Sequence, residues 1–186
     1  MISDLCAFID ASPSPTHAAM TLEARLVAAG FRALSLVAPQ WAITAGSWYV
    51  RQGAAVIAFV VGHGGLKRFA LVGAHTDSPH LRLKPNAAFA CEGCRQLGVE
   101  VYGGALLNSW LDRDLGLAGT VHTVDGRVLP VLIRKPLARV AQLAIHLDRT
   151  VNEQGLKLNS QNHLAPIWGL ATTVDPSDAF ADLLAT

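Results

Sequence analysis

His75 and Asp77 are the residues of this 186-residue sequence whose types and spacing best suit metal chemistry. They follow an apolar run, Phe69 to Ala74, that predicts a buried β-strand. Residues two apart on an extended chain point to the same side, so we expect both side chains to leave the strand together. An imidazole beside a carboxylate suits a metal site, in which the carboxylate either binds the ion or orients the ring. A hydrogen-bonded polar turn is the alternative interpretation of so short a motif.

The elements before this motif predict an α/β arrangement. Residues 1–10 and 16–29 have the composition and spacing of helices; Ser12 to Pro15 separates them and Gly30 ends the second. Strands are predicted at residues 31–36, 46–51, 54–61 and 69–73, with Gln52-Gly53 as a hairpin turn. In open α/β sheets, ligands bind at the carboxyl ends of strands, which is where His75 would lie.

The chain changes character near Asn86, where we predict a domain boundary. The residues that follow favour an antiparallel β domain, and Asp125-Gly126 between apolar β-formers is typical of a hairpin. Strands are predicted at residues 97–102, 116–124, 127–133 and 162–170, and a short helix at 138–147.

Composition excludes several classes of protein. Hydrophobic residues make up 51% of the chain and charged residues 16%, which suggests surface covered by other subunits or by further chain. A net charge of +1 without a basic run argues against a nucleic-acid or membrane-surface role. The run 54–61 is too short to span a bilayer, and the amino terminus does not resemble a secretory signal. A cytoplasmic protein is the expectation.

Cysteine usage gives no disulfide framework, because Cys6, Cys91 and Cys94 are an odd number. Cys91 and Cys94 have C-x-x-C spacing, but neither a second ligand pair nor a helix opening at the first cysteine is evident. Two reduced thiols in a hairpin turn are the preferred interpretation, with a zinc or redox site as the alternative.

Four segments resemble, in the same order, the M18 family of metallopeptidases, the aspartyl aminopeptidases. The resemblance covers nearly the whole chain. It is carried by Gly73 to Pro79 with Leu81 to Pro85, by Ala11 to His17, by Val101 to Gly104 with Trp110 to Leu115, and by Leu143 to Arg149.

This resemblance implies a zinc-dependent aminopeptidase that releases an amino-terminal Asp or Glu from peptides. It implies two zinc ions per site, with His75 as a direct metal ligand and Asp77 as the catalytic carboxylate that holds the imidazole in the right tautomer. The implied fold is the amino-terminal half of a zinc-peptidase α/β sandwich (1–86) followed by an inserted antiparallel β-rich dimerisation domain (87–186). The remaining ligands and the general base are absent from this sequence, so we expect the chain to be inactive alone.

His146 and the oligomeric state also enter through the resemblance. It implies a dimer-based homo-oligomer, a dodecamer, in which a histidine of the inserted domain reaches the partner subunit's active site, and His146 matches that motif. Its apolar neighbours favour a core histidine as the alternative.

Two other functions stay open: a non-catalytic assembly module, and a two-metal aminopeptidase of different specificity. The Asp112-Arg113-Asp114 cluster is interpreted as an ion-paired surface turn.

Overall fold

The computed structural model describes residues 2–64, 68–171 and 173–185. The chain forms two compact units. The first comprises Met1–Asp77 and Ala118–Pro130, and the second Ser78–Leu117 and Val131–Thr186. Asn86, the predicted domain boundary, lies within a long strand of the second unit, and the division into 1–86 and 87–186 remains a prediction.

The first unit contains two helices and a three-stranded sheet. The elements are α1 (Ile2–Asp10), α2 (Pro15–Ala28), β1 (Arg32–Ala33), β2 (Gly46–Gln52) and β3 (Ala55–Val61). The sheet order is β1-β2-β3, with β1 parallel to β2 and β2 antiparallel to β3. Its buried residues come from one stretch of α2 and from the centre of β2: Ala18, Ala19, Trp48, Tyr49 and Val50.

Helix α2 begins at Pro15, one residue before the predicted start at residue 16. Ser14 adopts an extended backbone and its Oγ accepts a hydrogen bond from the backbone N–H of His17, while Pro15 occupies the first helical position. A proline there loses no hydrogen bond, because the first helical N–H groups have no partner within the helix. Gly30, with a φ of 83°, follows the end of the helix.

Removing this cap should destabilise the first unit. We expect Ser14→Ala to lower the free energy of unfolding by about 1 kcal/mol, because the amide of His17 loses its acceptor. Ser12→Ala is the matched control, since the buried hydroxyl of Ser12 has no hydrogen-bond partner among the described residues. Urea unfolding followed by circular dichroism measures both variants; equal losses would show that the cap does not stabilise the helix.

The predicted strand at 69–73 is wrong. Residues 68–75 carry no regular secondary structure, and they are exposed: Leu71 retains 90% and Val72 100% of its accessible surface. An extended apolar segment becomes a strand only when a neighbouring strand pairs with its backbone. None of the described strands pairs with this segment. His75 and Asp77 therefore lie in a surface loop instead of at the end of a buried strand.

The second unit is built on an antiparallel sheet, as the sequence predicts. The strands are β4 (His80–Cys91), β5 (Cys94–Tyr102) and β8 (Ile167–Leu170). Their order in the sheet is β4-β5-β8, with a register irregularity between Leu83 and Ala88 of β4. Val99, Val140 and Leu164 form the core of this unit. Partly buried hydrophobic side chains, mostly leucines, pack against them.

The remaining elements are a hairpin and three short helical segments. They are β6 (Leu115–His122), β7 (Val128–Ala138), a 3₁₀ turn (Leu107–Trp110), α3 (Val151–Gln154) and α4 (Pro176–Ala185). The predicted hairpin turn is confirmed, since Gly126 takes a φ of 84° and its N–H donates to the carbonyl of Thr123. The predicted helix at 138–147 is wrong: β7 extends to Ala138 and isolated bridges follow it. In the described part of the chain, no helix combines the length and apolar character that crossing a membrane requires.

Candidate metal centre

His75 and Asp77 are in direct contact within the loop that follows residue 73. Nδ1 of His75 lies 2.7 Å from the backbone carbonyl oxygen of Asp77 and 3.1 Å from its carboxylate Oδ1. The side chain of His75 is 82% exposed and that of Asp77 36%. The imidazole therefore faces solvent, while the carboxylate is partly buried.

These two contacts determine the tautomer of the ring. Both oxygens can only accept, so Nδ1 carries the hydrogen and donates it. In the neutral ring, Nε2 then holds the lone pair. A metal-binding histidine requires this state: one nitrogen anchored by an acceptor and the other available for the ion.

Thr76 fixes the loop to the body of the first unit. Its Oγ1 donates a 2.9 Å hydrogen bond to the carbonyl of Ala54, in the turn between β2 and β3. An open cleft of about 540 Å³ lies beside this contact. Its lining comes from that turn and from the loop: Gln52, Ala54, Ala55, Val56, Ala74, His75, Thr76 and Asp77. The sequence gives no signal for the role of Thr76, since its partner is 22 residues away.

The donor set at His75 fits one share of a metal site. An anchored, exposed imidazole is a suitable ligand, and Asp77 is placed to orient it. Residues 2–64, 68–171 and 173–185 contain no group of three or more His, Cys, Asp or Glu side chains that could hold a metal ion. Zinc sites use three or four protein ligands, so a zinc site that included His75 would need further ligands.

His146 belongs to the second unit, where it lies in an exposed turn spanning residues 145–147. The backbone N–H of Leu147 closes the turn on the carbonyl of Ala144 at 2.8 Å. The alternative interpretation of His146 as a core histidine is therefore wrong. Its catalytic role remains a prediction.

Several charged residues of the second unit form ion pairs or hydrogen bonds. Asp114 pairs with Arg139 at 2.5 Å, in keeping with a surface ion pair. Asp112 takes a φ of 48°, and its Oδ1 accepts from the backbone N–H of Gln142 at 3.2 Å. Lys84 lies 3.2 Å from Glu100.

The Lys84 pair gives a pH-dependent prediction. A hydrogen bond from Gln161, and then one from Lys84, holds the pKa of the Glu100 carboxyl below its ordinary value of 4.5. A carboxyl with a lowered pKa stabilises the fold above its unfolded pKa, and this contribution is lost as the pH falls through the folded pKa. We expect Gln161→Ala to move the Glu100 titration to higher pH in a carbon-detected NMR titration. An unchanged midpoint would exclude Gln161 as the main cause.

Comparison with known proteins assigns the chain to a family. Residues 8–181 match the family model described as aminopeptidase I zinc metalloprotease (M18). Proteins named probable M18 family aminopeptidase 2 are 50% identical over 182 residues in Streptomyces coelicolor and 52% identical over 182 residues in Streptomyces avermitilis. Each alignment covers 97% of this chain and 42% of the relative.

Solved structures agree with this assignment. A chain in the cryo-EM structure of the Ape4 and Nbr1 complex is 39% identical, with a TM-score of 0.78 over 92% of this chain and 34% of that one. The M18 aminopeptidase of Thermotoga maritima has the same fold, with a TM-score of 0.80 at 21% identity, over 98% of this chain and 43% of that one. The chain thus spans less than half the length of the relatives it matches. Because the family model matches residues 8–181, this chain belongs to the M18 family of zinc metalloproteases.

Proposed function

We propose that this chain supplies His75 and Asp77 to the zinc site of an aminopeptidase. The proposal rests on one observation: two oxygens of Asp77 accept from Nδ1 of His75, which leaves Nε2 exposed with its lone pair. Zinc, when bound, acts as a Lewis acid toward a peptide carbonyl and lowers the pKa of water. The chain's own contribution is to present one ligand in a fixed tautomer, on a loop tied to the β2–β3 turn by Thr76.

The finer parts of the proposal rest on the motifs that resemble aspartyl aminopeptidases. They are two zinc ions per site, release of an amino-terminal Asp or Glu, and a catalytic role for His146 that involves a partner subunit. Since the described residues contain no complete ligand group, we further propose that the 186-residue chain alone does not hydrolyse peptides.

A hybrid protein tests the activity. This chain replaces the matching 182 residues of the Streptomyces coelicolor relative, and the hybrid is assayed with the p-nitroanilides of Asp, Glu and Leu in the presence of zinc. We expect hydrolysis of the Asp and Glu derivatives ahead of the Leu derivative. Preference for Leu would reject the acidic specificity and keep the peptidase. A folded, zinc-loaded hybrid without activity on any of the three would reject the proposal.

A homo-oligomeric form, and the assembly-module function as the second candidate, are supported by exposed apolar side chains. Leu71, Val72 and Phe69 of the first unit and Leu147 and Leu106 of the second are all largely exposed, and such residues are typical of protein interfaces when they cluster. A solved relative described as the Saccharomyces cerevisiae mApe1 dodecamer is 20% identical and shares the fold. Light scattering on the purified chain measures its oligomeric state.

A cytoplasmic location stays part of the proposal, supported by three free cysteines.

A further inference from the structure

Cys91 and Cys94 face each other across the turn between β4 and β5. The two residues are register partners at the end of the ladder, and only Glu92 and Gly93 separate them. Both turn residues have positive φ, 48° and 74°, which is the geometry of a tight two-residue hairpin turn. The preferred sequence interpretation, two thiols at a hairpin turn, is therefore confirmed.

The register gives this thiol pair the geometry of a chelate. Directly opposed residues of an antiparallel pair project from the same face, with Cβ atoms about 4.5–5.5 Å apart. A disulfide prefers a shorter Cβ–Cβ separation of about 3.5–4.5 Å. An ion with metal–sulfur bonds of about 2.3 Å bridges a wider gap, because it sits between the two sulfur atoms.

The site is open to solvent and fixed in place. Cys91 is exposed and Cys94 partly exposed, and both are free thiols. Cys94 is also the register partner of Leu170 in β8, and the N–H of Ala171 donates to the carbonyl of Gly93 at 2.9 Å. The third strand therefore holds the turn from the other side, which keeps the two thiols together before an ion arrives.

The number and type of donors select the ion. Thiolates prefer soft ions, among which are Cu(I) and Zn²⁺. Structural zinc takes four ligands, whereas this pair supplies two. Cu(I) is stable with two thiolates in a linear arrangement, so the pair is sufficient for this ion.

We propose that Cys91 and Cys94 bind one Cu(I) ion per chain, at a second metal site built from residues other than His75 and Asp77. Each thiol releases its proton to solvent as its sulfur binds the ion, and the metal does not change oxidation state. The proposal does not depend on peptidase activity.

Competition with a colorimetric Cu(I) chelator, bathocuproine disulfonate, tests the site under anaerobic conditions on the reduced full chain. We expect one Cu(I) per chain, and a loss of affinity greater than about 100-fold in Cys91→Ser and in Cys94→Ser, because even residues that only orient a ligand change metal affinity by about 10–100-fold. Cys6→Ser is the matched control, since Cys6 is an exposed thiol on α1, and it should bind as the parent chain does.

X-ray absorption at the copper edge provides a second measurement that does not depend on the variants. We expect two sulfur neighbours and no nitrogen neighbour. The proposal is overturned if the double variant Cys91→Ser/Cys94→Ser, folded by circular dichroism, competes as well as the parent chain. It is also overturned if Cys6→Ser abolishes binding, or if the ion is held between two copies of the chain by four sulfur atoms.

Discussion

His75→Ala is expected to reduce peptide hydrolysis by the Streptomyces hybrid by roughly a thousandfold. The substitution removes the exposed Nε2 lone pair that the proposal assigns to zinc. A bound metal contributes several kcal/mol of transition-state stabilisation, and each 1.36 kcal/mol corresponds to about tenfold in rate. Steady-state kinetics with the Glu derivative, together with zinc content by mass spectrometry, measures the loss of activity and of metal in the same preparation.

His80→Ala is the matched control for this variant. Nδ1 of His80 also donates to a backbone carbonyl two residues away, that of Ser78, at 2.7 Å, and the residue is close in sequence. It differs from His75 in that the contacts of its Nδ1 include no carboxylate. We expect His80→Ala to retain activity and zinc. An equal loss in both variants would assign the effect to misfolding of the chain and would contradict the role of His75.

Asp77→Asn is expected to reduce activity and zinc affinity by about 10–100-fold, which is the range for a residue that orients a metal ligand. The effect is smaller than that of His75→Ala, because the substitution does not remove the backbone carbonyl of Asp77, which accepts from Nδ1 at 2.7 Å. The amide lacks the negative charge that raises the basicity of the imidazole. A pH profile of hydrolysis should change along with the rate, which a purely structural role of Asp77 would not produce.

Asp178→Asn provides the acidic control on α4, since it removes one exposed carboxylate from a helix of the second unit. It should leave both zinc affinity and rate unchanged. If Asp77→Asn loses as much activity and zinc affinity as His75→Ala, Asp77 is itself a metal ligand. That was the other role open to it from the sequence.

Local signals in the sequence predict the local parts of this fold. Ser14 and Pro15 define the start of α2, and the turns at Gly53 and Gly126 take the positive φ that the sequence suggests. In each case the cause of the conformation lies within a few residues of its position. The α/β class and the antiparallel second region follow from such elements taken together.

Features that depend on distant partners could not be predicted in the same way. An apolar run at 69–73 satisfies the pattern of a buried strand, yet none of the described strands pairs with it, and the pattern contains no information about pairing. His75 and Asp77 are in contact, although the strand from which the spacing argument placed them together does not form. The spacing did not reveal that Thr76 ties their loop to Ala54, because that hydrogen bond joins residues far apart in sequence.

The ring nitrogens of His75 offer the most direct test of the account. Long-range proton–nitrogen NMR correlations distinguish a protonated from an unprotonated imidazole nitrogen, and they can be recorded on this chain. We expect Nδ1 to carry the hydrogen and Nε2 to lack it. A ring with its hydrogen on Nε2 would contradict the proposed role of His75 as a metal ligand.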